Sequence, residues 1–401
     1  MQSRFRAVPV QVSGRLSRVK PSATLAVTAR AAALAREGRD ILSLGAGEPD
    51  FDTPRHIAQA GIEAIHRGLT RYTNVDGSPD LKEAIIAKFR RDNGLFFEPA
   101  QVIASSGAKQ SLYNLCMAVL GQGDEAVVPA PYWVSYPDMV RLADGVPVVV
   151  PTDATANFRI TPGQLQDALT PRSRLLLLNS PCNPTGAAYS RTELAALGQV
   201  LSRFPDVVVG ADEIYEHIWW GAEPFCSFAS ACPELRDRTV IINGVSKAYA
   251  MTGWRIGYCA GPAQLVKAMA TLQGQSTSNP CSISQYAATV ALNGDQACVA
   301  EMAREYRARH DYLVAALDAL PGIRCRPGWG TFYAFADIRG ALDSMGIEDD
   351  LQFADRLLVE AGLAVVPGSG FGAPGHFRAS FACSMTQLEE AVKRLRQFLV
   401  H

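Results

Sequence analysis

A chain of 401 residues, 48% of them apolar and 19% charged, is long enough for two domains with sizeable cores and too apolar to stay disordered. Its 38 basic and 39 acidic side chains leave a net charge of −1, which gives no electrostatic footprint for nucleic acid or for an anionic membrane. No apolar run approaches the length of a membrane-crossing helix.

The first 36 residues carry seven basic side chains, from Arg4 to Arg36, and no acid. That composition resembles a transit peptide; we read residues 1–16 instead as a short flexible tail. Thr53-Pro54 reads as N-cap and first residue of a helix reaching about Arg67, and Ser78-Pro79 repeats the device with Gly94 as the stop. From about Gln101 to Pro262 strand-like and helical runs alternate. Strands are expected at Ala126–Pro129, Val146–Val150, Leu175–Asn179, Val207–Ala211, Val240–Asn243 and Ile256–Ala260. Helices are expected near Gly107–Leu120, Pro162–Ala168 and Thr192–Arg203. This alternation predicts an α/β fold with a mainly parallel sheet flanked by helices, in which ligands collect at the carboxyl ends of strands.

After about Gly294 the pattern changes. A long helix, Gln296 to Leu320, precedes short strands at Ile323–Cys325 and Thr331–Phe335. A helix near Leu351–Ala361 and strands near Ala364–Val366 and Phe377–Phe381 follow. Ser384 and Gln387 form a capping box for the last helix. These elements read as a smaller α+β domain. Gly368-Ser-Gly-Phe-Gly372 precedes a strand, so it is a loop and not a dinucleotide motif. The nine cysteines include no C-x-x-C pair and the six histidines no H-x-x-x-H spacing, which argues against a metal site and for reduced thiols in the cytoplasm.

Four motifs carry chemistry. Gly244-Val-Ser-Lys-Ala-Tyr-Ala-Met-Thr-Gly-Trp-Arg-Ile-Gly257 follows the buried-strand pattern Thr239–Asn243. A partly desolvated Lys247 sheds its proton and can form a Schiff base, and Arg255 offers a planar fork for a phosphate. A lysine for a carbonyl and an arginine for a phosphate together suggest pyridoxal phosphate (PLP). Asn179-Ser-Pro-Cys-Asn-Pro-Thr-Gly186 taken alone is an Asn-Pro turn; beside the lysine run, Asn183 offers an amide donor to a phenolate oxygen. Val207-Val-Val-Gly-Ala-Asp-Glu-Ile-Tyr215 ends in Asp212, which reads either as a helix cap or as the partner of a pyridinium nitrogen. Ser105-Ser-Gly-Ala-Lys-Gln110 leads small residues into a helix whose backbone N–H groups suit a phosphate.

Together these motifs resemble the class I and II, fold-type-I PLP-dependent aminotransferases, over nearly the whole chain from about Ser17. The lysine run matches that family's attachment signature at all fourteen positions. Arg18-Val-Lys-Pro-Ser-Ala-Thr24, Ala46-Gly-Glu-Pro-Asp-Phe-Asp-Thr-Pro54 and Pro131-Tyr-Trp-Val-Ser-Tyr-Pro137 are similar to the bacterial aspartate aminotransferase subgroup, some of whose members transaminate prephenate. The resemblance implies three parts: residues 1–52 packing with the small domain, a large PLP-binding domain at 53–293 and a small domain at 294–401. It assigns Lys247 as cofactor anchor and general base, Asp212 to the ring nitrogen, Tyr215 and Asn183 to the phenolate oxygen, and Trp133 to the ring face. Gly107, Ala108 and Arg255 are assigned to the phosphate; Ser246 is a further candidate there, and which serine or threonine serves is left open. Tyr72 matches a tyrosine that relatives supply to the neighbouring subunit, which implies a homodimer with shared sites. Arg378 and Gly47 match contacts to the substrate α-carboxylate. Lys109 matches the residue that meets the distal carboxylate of aspartate or glutamate, with Ser22 and Thr24 near it. The substrates implied are amino acids and 2-oxo acids: aspartate with 2-oxoglutarate, and prephenate or a broader range as the alternatives. A β-elimination on the same scaffold also stays open.

Overall fold

The computed structural model describes residues 10–21 and 23–400. Strand β1 (Leu42–Ser43) stands apart from a central seven-stranded sheet. That sheet consists of β2 (Val102–Ser105), β3 (Glu125–Ala130), β4 (Val146–Pro151), β5 (Ser173–Asn179), β6 (Val208–Asp212), β7 (Thr239–Gly244) and β8 (Gly257–Ala260), in the order β2-β8-β7-β6-β5-β3-β4. Neighbours from β7 to β4 run parallel, and β8 alone is reversed, antiparallel to both β7 and β2. Helices cover both faces. The unbroken burial of Leu175–Leu178 is what a strand covered on both sides requires.

A second, four-stranded antiparallel sheet is built from β9 (Arg324–Cys325), β10 (Tyr333–Asp337), β12 (Val366–Pro367) and β13 (His376–Ser380). The helices Ala297–Asp318, Asp350–Ala361 and Met385–Val400 accompany it. Strand β11 (Leu363–Ala364) pairs in parallel with β1, and Ala31 of the helix Ala23–Arg36 packs with Leu358 and Ala364. No helix among the described residues is long and apolar enough to cross a membrane.

Several expectations need correction. Pro54, not Thr53, is the N-cap of the helix Arg55–His66; the Thr53 hydroxyl instead donates to the Ala250 carbonyl at 2.7 Å. The strand expected at Ala364–Val366 is two, because the chain changes sheets at Val365: β11 pairs with β1 and β12 with β13. The expected tail lies outside the described residues over 1–9. Further on, Gly14–Arg18 form a short helical turn that docks at Asp144, with Arg18 Nη2 2.7 Å from its carboxylate. The Gly368–Gly372 loop closes around a buried Asp350, whose carboxylate accepts from Ser369 N, Ser369 Oγ and Gly375 N. Among the described residues six helices gave no sequence signal: Ala23–Arg36, Tyr136–Leu142, Phe228–Ala231, Ala263–Gly274, Ser282–Asn293 and Arg339–Met345. All but the first start with no side-chain cap hydrogen bond, and at Pro262, Cys281 and Ile338 the N-cap residue offers no polar cap of the usual kind, so the start signal is missing.

Candidate active site

The carboxyl ends of the parallel strands open into a cleft of about 460 Å³, walled on its far side by β10 and β13 of the second sheet. Two glycines shape its floor. Gly244 and Gly257 pair across the ends of β7 and β8. A Cβ on Gly257 would lie 2.0 Å from the Ala108 nitrogen, so only glycine lets the turn before the helix Ala108–Val119 settle onto the sheet. Gly107 takes φ 90° as N-cap and offers no side chain to the helix start. The Gln110 amide bonds back to the Gly107 carbonyl at 2.9 Å, and the first-turn N–H groups of Ala108 and Lys109 stay uncommitted among the described residues. The Arg255 guanidinium fills the space beside Gly107; a Cβ there would meet its Nη2 at 2.2 Å. Backbone donors, a helix N-terminus and a guanidinium thus meet at one point, which suits a phosphate.

Lys247 follows β7. Its Nζ donates to the Gly47 carbonyl at 2.5 Å. Burial, followed by the positive charge of Arg378, pushes its amine down to about 8. Asp212 is the last residue of β6 and is buried. Burial pushes its carboxyl up to about 6, against the Tyr136 hydroxyl that donates to Oδ2 at 2.6 Å and the Ile214 amide at Oδ1. The turn carrying Asn183 is tied to the same strand end: Asn183 N donates to Asn179 Oδ1 at 2.8 Å, and Asn179 Nδ2 to the Asp212 carbonyl at 2.9 Å.

Arg378 projects from the middle of the second sheet, between Phe335 and Val366. Only 2% of it is exposed, which requires every donor to be placed. Nη1 donates to Asn183 Oδ1 at 3.0 Å and Nη2 to the Gly45 carbonyl at 2.9 Å, while Nε has no partner among the described residues. The first of these bonds turns the Asn183 NH2 group toward the cleft. The guanidinium lies 4.2 Å over the Tyr333 ring, and the Tyr333 hydroxyl meets that of Tyr215 at 3.1 Å. Lys109 Nζ sits 4.8 Å over the Trp133 ring, and no carboxylate among the described residues pairs with it. Burial and Arg255 lower its amine from the ordinary value.

Thr24, Gly47, Ala108, Lys109, Trp133, Asn183, Asp212, Tyr215, Ser246, Lys247, Arg255 and Arg378 therefore line one cleft, with Gly107 just behind Arg255. Tyr72 does not join them: it is 90% exposed and outside the cleft of its own chain. Ser22 lies outside the described residues. Sequence reasoning missed Tyr136, Tyr333 and Asn179. Tyr136 stands three residues after Trp133 in the same motif, and Asn179 opens the motif of Asn183. Nothing local points to Tyr333, whose importance comes from the pairing of β10 with β13.

Residues 39–395 match the family model for aminotransferase class I and II. The aspartate/prephenate aminotransferase of Nitrosomonas europaea is 51% identical over 97% of this chain and 100% of its own. The crystal structure of the aspartate aminotransferase of Rhizobium meliloti superposes with a TM-score of 0.94 at 48% identity, covering 98% of this chain and 99% of that one. The Thermus thermophilus aspartate aminotransferase with maleate gives 0.91 at 44%, covering 97% and 100%.

Proposed function

Because this chain belongs to the class I and II aminotransferase family, we propose that it transfers the amino group of L-aspartate to 2-oxoglutarate, giving oxaloacetate and L-glutamate, with PLP as cofactor. The site suits that cofactor: an uncapped helix start beside Arg255 matches its phosphate, the buried Asp212 carboxylate a cationic ring nitrogen, and the depressed Lys247 amine its aldehyde. When bound, PLP supplies a carbonyl for the substrate amine and a protonated ring that draws electron density from Cα. Lys247 would anchor it, Asp212 hold the ring nitrogen, Tyr215 and Asn183 the phenolate oxygen and Trp133 the ring face. Gly107, Ala108, Ser246 and Arg255 would hold the phosphate.

One observation carries the substrate reading. Arg378, whose Nε has no partner among the described residues, and Lys109, which pairs with no carboxylate among them, face the same cleft as Lys247. Two cations flanking one amine suit an amino acid with two carboxylates. Arg378, with Gly47, would grip the α-carboxylate and present Cα to Lys247 Nζ, which takes the Cα proton. Lys109, with Thr24 nearby, would meet the distal carboxylate.

Lys109→Ala should cut kcat/KM for aspartate by roughly ten- to a hundredfold, the loss of a charge-assisted hydrogen bond of about 1.5–3 kcal/mol. Alanine, which leaves that end empty, should be little affected, whereas Arg378→Ala should damage every amino acid substrate. Equal losses for aspartate and alanine in the Lys109 variant would assign that residue to the cofactor instead. Prephenate also carries two carboxylates, and the name of the Nitrosomonas europaea relative makes it the second reading. Turnover of glutamate with prephenate against aspartate with 2-oxoglutarate separates the two.

We also propose a cytoplasmic homodimer with shared sites, an assignment that the exposure of Tyr72 and the nine unpaired cysteines support. Its protomer divides into residues 1–52 packing with a small domain at 294–401, and a large domain at 53–293; the pairing of β1 with β11 supports this division. Refolding a Tyr72→Phe chain together with a Lys247→Ala chain should yield more activity than the two chains give separately, because each hybrid holds one native site. Activity that merely averages the parents would place Tyr72 outside the site.

A further inference from the structure

Behind the cleft, Lys88 is fully buried on the helix Pro79–Asn93, and the Glu216 carboxylate is buried against it in the turn after β6. Two amides complete the pair. Asn93 accepts from Lys88 Nζ at 2.8 Å and donates to Glu216 Oε2 at 2.9 Å, while Asn243 Nδ2 donates to Glu216 Oε1 at 2.7 Å. Asn243 Oδ1 in turn accepts from the Gly244 amide at 2.7 Å. Glu216 immediately follows Tyr215, and Asn243 stands four residues before Lys247. Asp92 and His217 extend the cluster to the surface, with His217 Nε2 3.0 Å from Asp92 Oδ2. Asp92, Glu216 and His217 gather potential ligand atoms closely enough for a metal ion, but the Lys88 ammonium already occupies the Glu216 carboxylate.

A buried ion pair is costly to keep, and an apolar pair of similar volume would often serve packing as well or better. Through Asn243 this one joins two segments that each deliver a cleft residue, while Lys88, Glu216 and Asn243 themselves do not line the cleft. We propose that Lys88, Glu216 and Asn243 form a brace that sets the placement of Tyr215 relative to Lys247, so that they are positioning residues for the transamination proposed above, on which this inference rests. Misplacing a reacting group by about 1 Å costs on the order of a hundredfold in rate even when the cause is remote. The brace therefore acts through two residues at once, the hydroxyl of Tyr215 and the amine of Lys247.

The test uses the PLP-loaded enzyme and two variants. The double variant Lys88→Met/Glu216→Leu removes both charges together and leaves a compact apolar pair. Asn243→Ala keeps the ion pair and cuts the link between Glu216 and β7 together with the local bond to the Gly244 amide, so it decides alone if the double variant fails to fold. Thermal midpoint, the pH midpoint of the cofactor's absorbance band, and kcat and KM for aspartate are measured for each. The expected result is a folded, cofactor-loaded protein whose band midpoint is displaced, whose kcat falls roughly ten- to a hundredfold and whose KM stays within about twofold. Native midpoint and kcat in folded variants would overturn the brace and leave the cluster with a packing role. A wild-type protein that takes up no PLP would instead overturn the function on which the brace rests, and the two failures are distinguishable.

Discussion

Replacing Lys247 with alanine should abolish turnover of aspartate, lowering kcat by at least about 10²–10⁴-fold, the contribution of a positioned general base. The loss should be larger still, because the same amine anchors the cofactor. Borohydride reduction of the wild-type holoenzyme should fix the cofactor to the peptide containing Lys247 and leave the variant unlabelled. Label on any other lysine would sink the assignment. The amine also predicts a pH dependence. Only its neutral form attacks a carbonyl, and burial, aided by Arg378 and Arg255, brings it down to about 8 from 10.5, against the opposite pull of Glu48 and Asp212. At pH 7 that leaves about one amine in ten neutral, against fewer than one in a thousand for an ordinary lysine. Capture of PLP by the apoprotein should therefore rise with pH to half its maximum near 8. A half-rise near 10 would mean that the cleft does not desolvate Lys247. Arg378→Ala removes the second-largest cause of the depression, so it should move the half-rise to higher pH.

The family and the candidate cleft were legible because the residues proposed to hold the cofactor sit in short, contiguous motifs. Gly244 to Gly257 carries the proposed anchor, the proposed phosphate ligand and both glycines that let β7, β8 and the helix Ala108–Val119 meet. The strands that carry Asp212 and lead to Asn183 were legible as unbroken apolar runs, since a parallel sheet is buried on both faces. What was missed depends on contacts distant in sequence. Strand β2 is only four residues long and owes its place to pairing with β8. Tyr333 gains its role from the register that sets Phe335 opposite Arg378. Lys88 lies on a helix whose pattern shows an ordinary polar position, and only the fold reveals that it is fully buried against Glu216.

The hydrogen bond from Tyr136 to Asp212 leads to the second large effect. Asp212→Ala should retain some cofactor binding, through Lys247 and the phosphate site, yet lower kcat about 10²–10³-fold, the scale on which removal of one preorganised electrostatic partner acts. The argument rests on charge. A carboxylate keeps the ring nitrogen protonated only while it is itself ionised, and burial has already pushed Asp212 up to about 6. The Tyr136 hydroxyl at 2.6 Å and the Ile214 amide pull in the opposite direction, favouring the ionised form. Tyr136→Phe deletes the nearer of these donors and leaves the burial, so the carboxyl must rise further. The acid limb of the kcat/KM profile for aspartate should then move to higher pH, while the alkaline side keeps near-native rates. Asp212→Asn should behave unlike either variant: it preserves volume and hydrogen bonding but carries no charge at any pH, so its low kcat should persist across the range. If Asp212→Asn turned over aspartate at the native rate, the residue would be structural and the hydroxyl of Tyr136 would serve only to satisfy a buried oxygen. If Tyr136→Phe left the acid limb in place, the ionisation of Asp212 would have to be held by the bound ring nitrogen and the Ile214 amide without the hydroxyl.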